Sequence, residues 1–335
     1  MATATKLRTT RRTTAKRTTA RVRQDGDGTA GIPMRAFGRT GIPISAIGLG
    51  GYHLGEAGGV REAVRIVHAA IDAGINFLDN AWEYHEGRSE EWMGKAIEDR
   101  RDRVFLMTKV CTHGRDAKVA MKQLDDSLRR LKTDRVDLWQ VHECVYHNDP
   151  ERHFAKGGVI EALDRAKREG KVRFTGFTGH KSPMIHLRML AYGYPFDAVQ
   201  LPLNCFDATF RSFEQAVLPE VLRLGMAPLA MKSMGGRGES VKAKAVSAED
   251  ALRYAMSLPV ATVISGIDSM RVLRQNLRVA RGFRPFTERQ MDALRRRVAD
   301  HAADGRYELY KVTALHEGPI GRKQHGFPPP DEQET

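Results

Sequence analysis

Cysteine is scarce in this chain. Its 335 residues contain three, Cys111, Cys144 and Cys205. That number is too small, and odd, for a disulfide framework. A reducing, cytoplasmic setting is the simplest expectation. Long hydrophobic runs are also missing. Apolar residues make up 41% of the chain, enough for a sizeable core. No uninterrupted run approaches the roughly 20 residues that a membrane helix needs. No apolar segment follows the basic N-terminus, so no secretion signal is expected, and Arg11-Arg12 is a poor twin-arginine candidate.

Metal-binding spacing is absent too. There is no C-x-x-C, and Tyr146 stands where a second histidine would complete H-E-x-x-H from His142-Glu143. The three cysteines with His113 and His142 could in principle hold zinc, but small pocket-lining thiols are the better expectation, and no metal is assigned. The one G-x-G-x-x-G, residues 26–31, has no strand before it and reads as accidental. This argues against a doubly wound sheet.

Acid is missing from residues 1–24, which hold eight Lys or Arg and eight Thr and contribute much of the net charge of +13. Such a segment cannot bury a face. Residues 1–31 are expected to be a disordered basic tail and linker, or sequence upstream of a true start at Met34. The functional alternative is a basic arm for nucleic acid, anionic lipid or an acidic partner.

From Met34 onward the pattern is regular. Residues 34–37 and 42–45 flank Gly38-Arg39-Thr40-Gly41 and read as a β-hairpin. Eight apolar runs follow, at 46–49, 76–80, 104–110, 136–142, 172–178, 198–203, 227–231 and 262–267. Amphipathic helical patterns separate them, among them 63–73, 118–131, 159–168 and 248–257. This alternation predicts parallel strands with helical crossovers. Ser182-Pro183 and Ser89-Glu90-Glu91 read as helix starts, Gly170 and Gly225 as helix stops, and Pro219 as a helix start or bend. The expected fold is α/β: a (β/α)₈ TIM barrel over 32–285, with an N-terminal β-hairpin. A C-terminal helix, opened by Thr287-Glu288 and running to about Asp300, and an irregular tail would occupy 286–335.

Three runs end in chemistry. Asp79 closes one, Lys109 lies near the end of the next and His142 closes the third, at steps of about thirty residues; Tyr84 follows Asp79 in the loop. On one barrel rim these bring together a carboxylate, an ammonium, an imidazole and a phenol. Asp79 would balance a buried Lys109. Lys109 would lower the pKa of Tyr84 and make it a proton donor to a developing alkoxide. His142 would orient the same oxygen. A single strand-end Asp, Lys or His is usually just a solvated rim residue; their joint placement is the signal.

With these residues, the segment 77–84, the segment Glu169 to Thr178, and Val263-Ile264-Ser265-Gly266 through Gln275-Asn276, the sequence resembles the aldo-keto reductase family over about residues 34–284. The resemblance implies a barrel that binds NADP(H), without metal, and reduces aldehydes or ketones or oxidises alcohols. Tyr84 would be the general acid, supported by Asp79, Lys109 and His142. Cofactor contacts would fall to Gly51, Tyr52, Thr178, Gln200, Met231, Lys232, Gly266, Ser269, Gln275 and Asn276. The sequence departs from the family at Asn80, His85, Gly179 and Met231, where threonine, glycine, asparagine and tyrosine are usual. Asp268 and Val272 replace frequent basic or polar positions, so NAD(H) stays open, while Arg271, Arg274 and Lys232 could compensate. Trp82 could wall the substrate pocket or simply pack under a loop. The long connection 143–158 is expected to shape substrate access, with His147 and His153 exposed. Tyr307 and Tyr310 suggest that the tail covers the barrel mouth. The expected partner is a small carbonyl or alcohol, without membrane association; the alternative is a catalytically weak nucleotide-binding barrel in a regulatory or interaction role.

Overall fold

The computed structural model describes residues 31–111 and 115–328. The basic tail, the G-x-G-x-x-G linker up to Ala30, His113 and residues 329–335 lie outside the described residues.

The hairpin comes first. β1 (Met34–Ala36) pairs antiparallel with β2 (Pro43–Ser45), Met34 opposite Ser45. Its turn rests on the barrel floor. Gly38 has φ +51, and a Cβ there would lie 2.7 Å from the Ala227 nitrogen, so only glycine fits. Arg39 N donates to Gly225 O at 2.8 Å. Phe37 is fully buried and packs on Phe105 and Phe174, with ring centroids 4.8 and 5.4 Å away. Phe77, Met107 and Leu138 complete this apolar plug. One end of the barrel is therefore sealed, and polar chemistry is left to the other.

Eight parallel strands close the barrel: β3 (Ile47–Gly50), β4 (Phe77–Asp79), β5 (Phe105–Val110), β6 (Val136–Val141), β7 (Val172–Thr178), β8 (Ala198–Pro202), β9 (Ala227–Met231) and β10 (Thr262–Gly266). Neighbours run in chain order, and β10 closes on both β9 and β3. Every expected run forms a strand, to within two residues at its ends. The helices bury one stripe each. The helix Val159–Arg168 buries Val159, Ala162, Leu163 and Ala166, spaced as one face of a 3.6-residue repeat. Ser182 caps its helix through Met184 N, with Pro183 in the first turn. Gly170 and Gly225 take φ of 71 and 68 where helices stop. Pro219 stands in the first turn of the helix Leu218–Arg223.

Ser89 corrects one expectation. The helix Arg88–Ile97 begins one residue earlier, and the Ser89 hydroxyl donates instead to Gly51 O at 2.6 Å. The hydroxyl is buried against the loop after β3, which outcompetes a local cap. The C-terminal helix, Glu288–Ala302, opens with a reciprocal capping box between Thr287 and Gln290. The chain after it is more ordered than expected. It forms two short helices, Leu309–Val312 and Pro319–Gln324. Lys311 is fully buried there, with Nζ donating to Asp207 Oδ1 at 2.6 Å and Glu308 Oε2 at 2.9 Å. Among the described residues, no helix is long and apolar enough to cross a membrane.

Candidate active site

Asp79 is the last residue of β4, and Lys109 is the fifth of six residues in β5. The loop between Asp79 and Tyr84 is stitched back onto β5. Asn80 N donates to Met107 O, and Trp82 N to Lys109 O, both at 3.1 Å. That stitching returns Tyr84 to the ammonium. Lys109 Nζ donates to Asp79 Oδ1 at 2.5 Å, to Asn80 O at 2.8 Å and to Tyr84 Oη at 3.1 Å. His142 follows β6, with its N–H on Val110 O at 2.8 Å. Its ring meets the Tyr84 ring edge to face, with centroids 5.7 Å apart. The four rim residues chosen from the sequence form one cluster.

The electrostatics differ from expectation. Burial first, then Asp79, Glu83 and Glu143, hold the Tyr84 phenol well above its ordinary value. Lys109 does not bring it down; Asp79 lies closer to the ammonium, at 2.5 Å against 3.1 Å for Tyr84 Oη. Burial also raises Asp79 and lowers Lys109, while their mutual attraction opposes both shifts. Burial thus favours the protonated phenol, and the ammonium sits on its oxygen without acidifying it.

Two carboxylates at this rim were not anticipated. Glu83 Oε1 lies 2.8 Å from His142 Nδ1, off the hydrogen-bond axis. Glu143 Oε2 lies 2.7 Å from His180 Nε2 and 4.0 Å from His142 Nε2, and Gly318 N donates to Glu143 Oε1 at 2.7 Å. Burial raises Glu143, but the His180 charge and hydrogen bond, His142 and the Gly318 N–H together lower it to about 2. In the sequence Glu143 is marked only by the incomplete metal motif and as the start of the connection 143–158. Its partners come from β7 and the tail, which no local spacing announces.

The proposed cofactor residues fall into two groups. Thr178, Gln200 and Met231 end or lie near the ends of β7, β8 and β9, with Thr178 level with Gln200 and Pro202 level with Met231. Gln200 Nε2 lies 3.6 Å and Thr178 Oγ1 4.0 Å from Met231 Sδ. Gln200 Oε1 is buried without a hydrogen-bond partner. Lys232 follows, with φ of 55, burial lowering its amine to about 8, and Nζ over the Tyr310 ring at 5.0 Å. On the other side of β10, Gly266 ends the strand and Ser269 caps the helix Met270–Arg281 through Val272 N. Gln275 is half-buried on that helix, and Asn276 Nδ2 donates to Ser265 Oγ at 2.9 Å. Asp268, Arg271 and Arg274 are exposed, and Val272 is half-buried. Gly51 opens the short helix after β3; a Cβ there would lie 2.6 Å from Asp79 O. Tyr52 meets Tyr84 edge to face at 5.4 Å and accepts at Oη from Arg237 at 2.9 Å.

Two of the departures lie in tight backbone. His85 has φ 52, the left-handed conformation that glycine adopts without cost. Its Nε2 lies 2.7 Å from Tyr52 O, which helps hold the turn. A side chain at Gly179 would strike Cys144 O. Trp82 is half-buried, with Arg130 over its ring at 5.4 Å. His147 is exposed as expected, but His153 is 1% exposed, on the short helix Asp149–Phe154. All three cysteines are buried and free of disulfides. The tail reaches this rim: the carbonyl of Tyr310 lies 3.3 Å from His180 Nδ1, and Lys181 Nζ donates to Thr313 O at 2.7 Å.

Similarity to known proteins agrees with this geometry. A 6-dehydroglucose reductase from Novosphingobium aromaticivorans is 32% identical over 189 residues, 52% of this chain and 60% of that protein. The chain thus matches under two thirds of that relative's length. An uncharacterized oxidoreductase of Bacillus subtilis is 29% identical over 70% of this chain and 86% of its own length. The fold matches an aldo-keto reductase from Bacillus halodurans in its holo form, with a TM-score of 0.66 at 21% identity, covering 82% of this chain and all of that one. It also matches one from Klebsiella pneumoniae in complex with NADPH, with a TM-score of 0.65 at 23% identity, over 78% of this chain and 94% of that one. The sequence model of the aldo/keto reductase family matches residues 46–244. With the closed barrel and the clustered rim, this shows that the chain belongs to the aldo/keto reductase family.

Proposed function

We propose that the protein is an NADP(H)-dependent oxidoreductase that interconverts a small aldehyde or ketone with its alcohol, with Tyr84 as the general acid and base. The observation that carries this reading is the 3.1 Å approach of Lys109 Nζ to Tyr84 Oη, with the same ammonium anchored on Asp79 at 2.5 Å.

The residues present suit the cofactor. The orphaned, buried Gln200 Oε1 can accept from a carboxamide, beside the Thr178 hydroxyl. The N-terminus of the twelve-residue helix Met270–Arg281, capped by Ser269 next to Gly266, favours phosphate. Arg271 and Arg274 on that helix would supply the cations that a 2′-phosphate calls for. When bound, the dinucleotide supplies the hydride to the carbonyl carbon. Tyr84 Oη gives its proton to the carbonyl oxygen, so C=O becomes CH–OH. His142 would contact the same oxygen and fix its direction. Lys109 holds the phenol oxygen in place and stabilises the phenolate left behind. Oxidation runs these steps in reverse.

The test is nicotinamide absorbance with NADPH or NADH and a panel of aldehydes and ketones. Wild-type protein is expected to oxidise NADPH, and Tyr84→Phe to bind the dinucleotide without turning over. Equal turnover by the Phe variant would remove Tyr84 from the proton-transfer role.

A further inference from the structure

A cavity of about 760 Å³ lies between the loop after β6 and the C-terminal tail. None of the tetrad lines it. Val145 and Tyr146 face it from the loop; Val312, Leu315 and Phe327 face it from the tail. These three tail side chains are 41, 44 and 46% exposed, so an apolar surface stands open here.

The polar groups of the cavity are unbalanced. Lys181 Nζ donates to Glu317 Oε1 at 2.7 Å, and Arg322 Nη1 donates to Glu317 Oε2 at 2.6 Å. Tyr146 Oη donates to Glu317 Oε2 at 3.3 Å. Arg322 Nε donates to Pro328 O at 2.7 Å. Two cations thus share one carboxylate. Arg322 is 3% exposed, and its Nη2 is buried with no hydrogen-bond partner. A buried charged donor left unpaired is costly, and native structures rarely keep one without a reason.

We propose that this cavity binds a small monocarboxylate with an aromatic or branched apolar body. Its carboxylate is held by Lys181 and the unpaired Nη2 of Arg322, and its body packs on Val145, Tyr146 and Leu315. The local charge of +1 matches one carboxylate and not a dianion. A neutral apolar ligand would leave Nη2 unsatisfied. Glu317 acts as the internal competitor that holds the same cations when the cavity is empty. None of its ligand contacts is a tetrad residue, so its binding test does not depend on the hydride-transfer reading.

The test is calorimetric titration of the full chain with 3-phenylpropionate and with its neutral counterpart, 3-phenylpropan-1-ol. The acid is expected to bind at least about tenfold tighter than the alcohol, the value of one charge-assisted hydrogen bond. Lys181→Met is expected to weaken the acid. Glu317→Gln is expected to tighten it, because the competing charge is gone. A role confined to pinning the tail predicts weaker binding in both variants, and that result would overturn the proposal. So would equal affinity for acid and alcohol, or no binding heat with either. If Lys181→Met does not fold, the direction of the Glu317→Gln change decides alone.

Discussion

The N–H of Cys144 donates to the carbonyl of Thr178 at 2.7 Å, and this draws the chain after β6 against the chain after β7. Gly179 then lies so close to Cys144 O that a Cβ cannot be placed without moving backbone. Gly179→Ala is therefore expected to destabilise the protein by about 2–3 kcal/mol, the cost of overpacking a tight site. A shift in the urea midpoint measures it. An unchanged midpoint would mean that the two loops are free to separate.

The ion pair between Lys109 and Asp79 gives a second expectation. Both side chains are buried, at 1% and 5% exposure. Lys109→Met leaves a buried carboxylate unpaired, which costs about 3–5 kcal/mol. It also frees the Tyr84 hydroxyl, so kcat should fall by at least about 10²-fold. The double variant Lys109→Met with Asp79→Asn should recover stability and not turnover. Recovery of both would assign the pair a structural role alone.

Lys311 ties the tail to the loop after β8 through Asp207 and the Phe210 carbonyl, with Glu308 of the tail as its second carboxylate. Lys311→Met is expected to cost about 3–5 kcal/mol, again by stranding buried carboxylates. Removal of the residues after Gly305 should change the ranking of aldehydes by kcat/KM, since His180, Lys181 and Glu143 lose their tail partners. An unchanged ranking would separate the tail from substrate choice.

His153 predicts a pH dependence. Neither ring nitrogen has a hydrogen-bond partner, and burial lowers its pKa from 6.5 to about 4. The unfolded chain takes up this proton below 6.5 and the folded chain only near 4. Stability is therefore present above pH 6.5 and falls as pH drops from 6.5 to 4. His153→Leu should flatten that slope, as read from urea midpoints at pH 7 and pH 5. An equally steep slope in the variant would place the titration elsewhere.

Much of this molecule was legible from its residues in order. The strand runs are short and apolar because barrel strands are covered on both faces, and the helices between them carry a 3.6-residue stripe. Strand-end polar residues therefore stand out, and Asp79, Lys109 and His142 could be picked without coordinates. Gly170 and Gly225 were legible for the same local reason, since a left-handed helix stop favours glycine.

What stayed hidden depends on partners distant in the chain. Ser89 binds a carbonyl 38 residues away, Lys181 a carboxylate 136 residues away, and Gly318 reaches Glu143 across 175. No local pattern records such distances. The ionisation of Tyr84 differs from expectation for that reason: sequence order places a cation near the phenol, but only the folded rim shows that Asp79 is nearer to the cation, and that the charges of Glu83 and Glu143 act on the phenol. The linear chain determined which chemical groups meet at the barrel mouth, because strand period and polarity are local properties. Tertiary structure decided their charge states and what covers them, because electrostatics and burial follow distances in space.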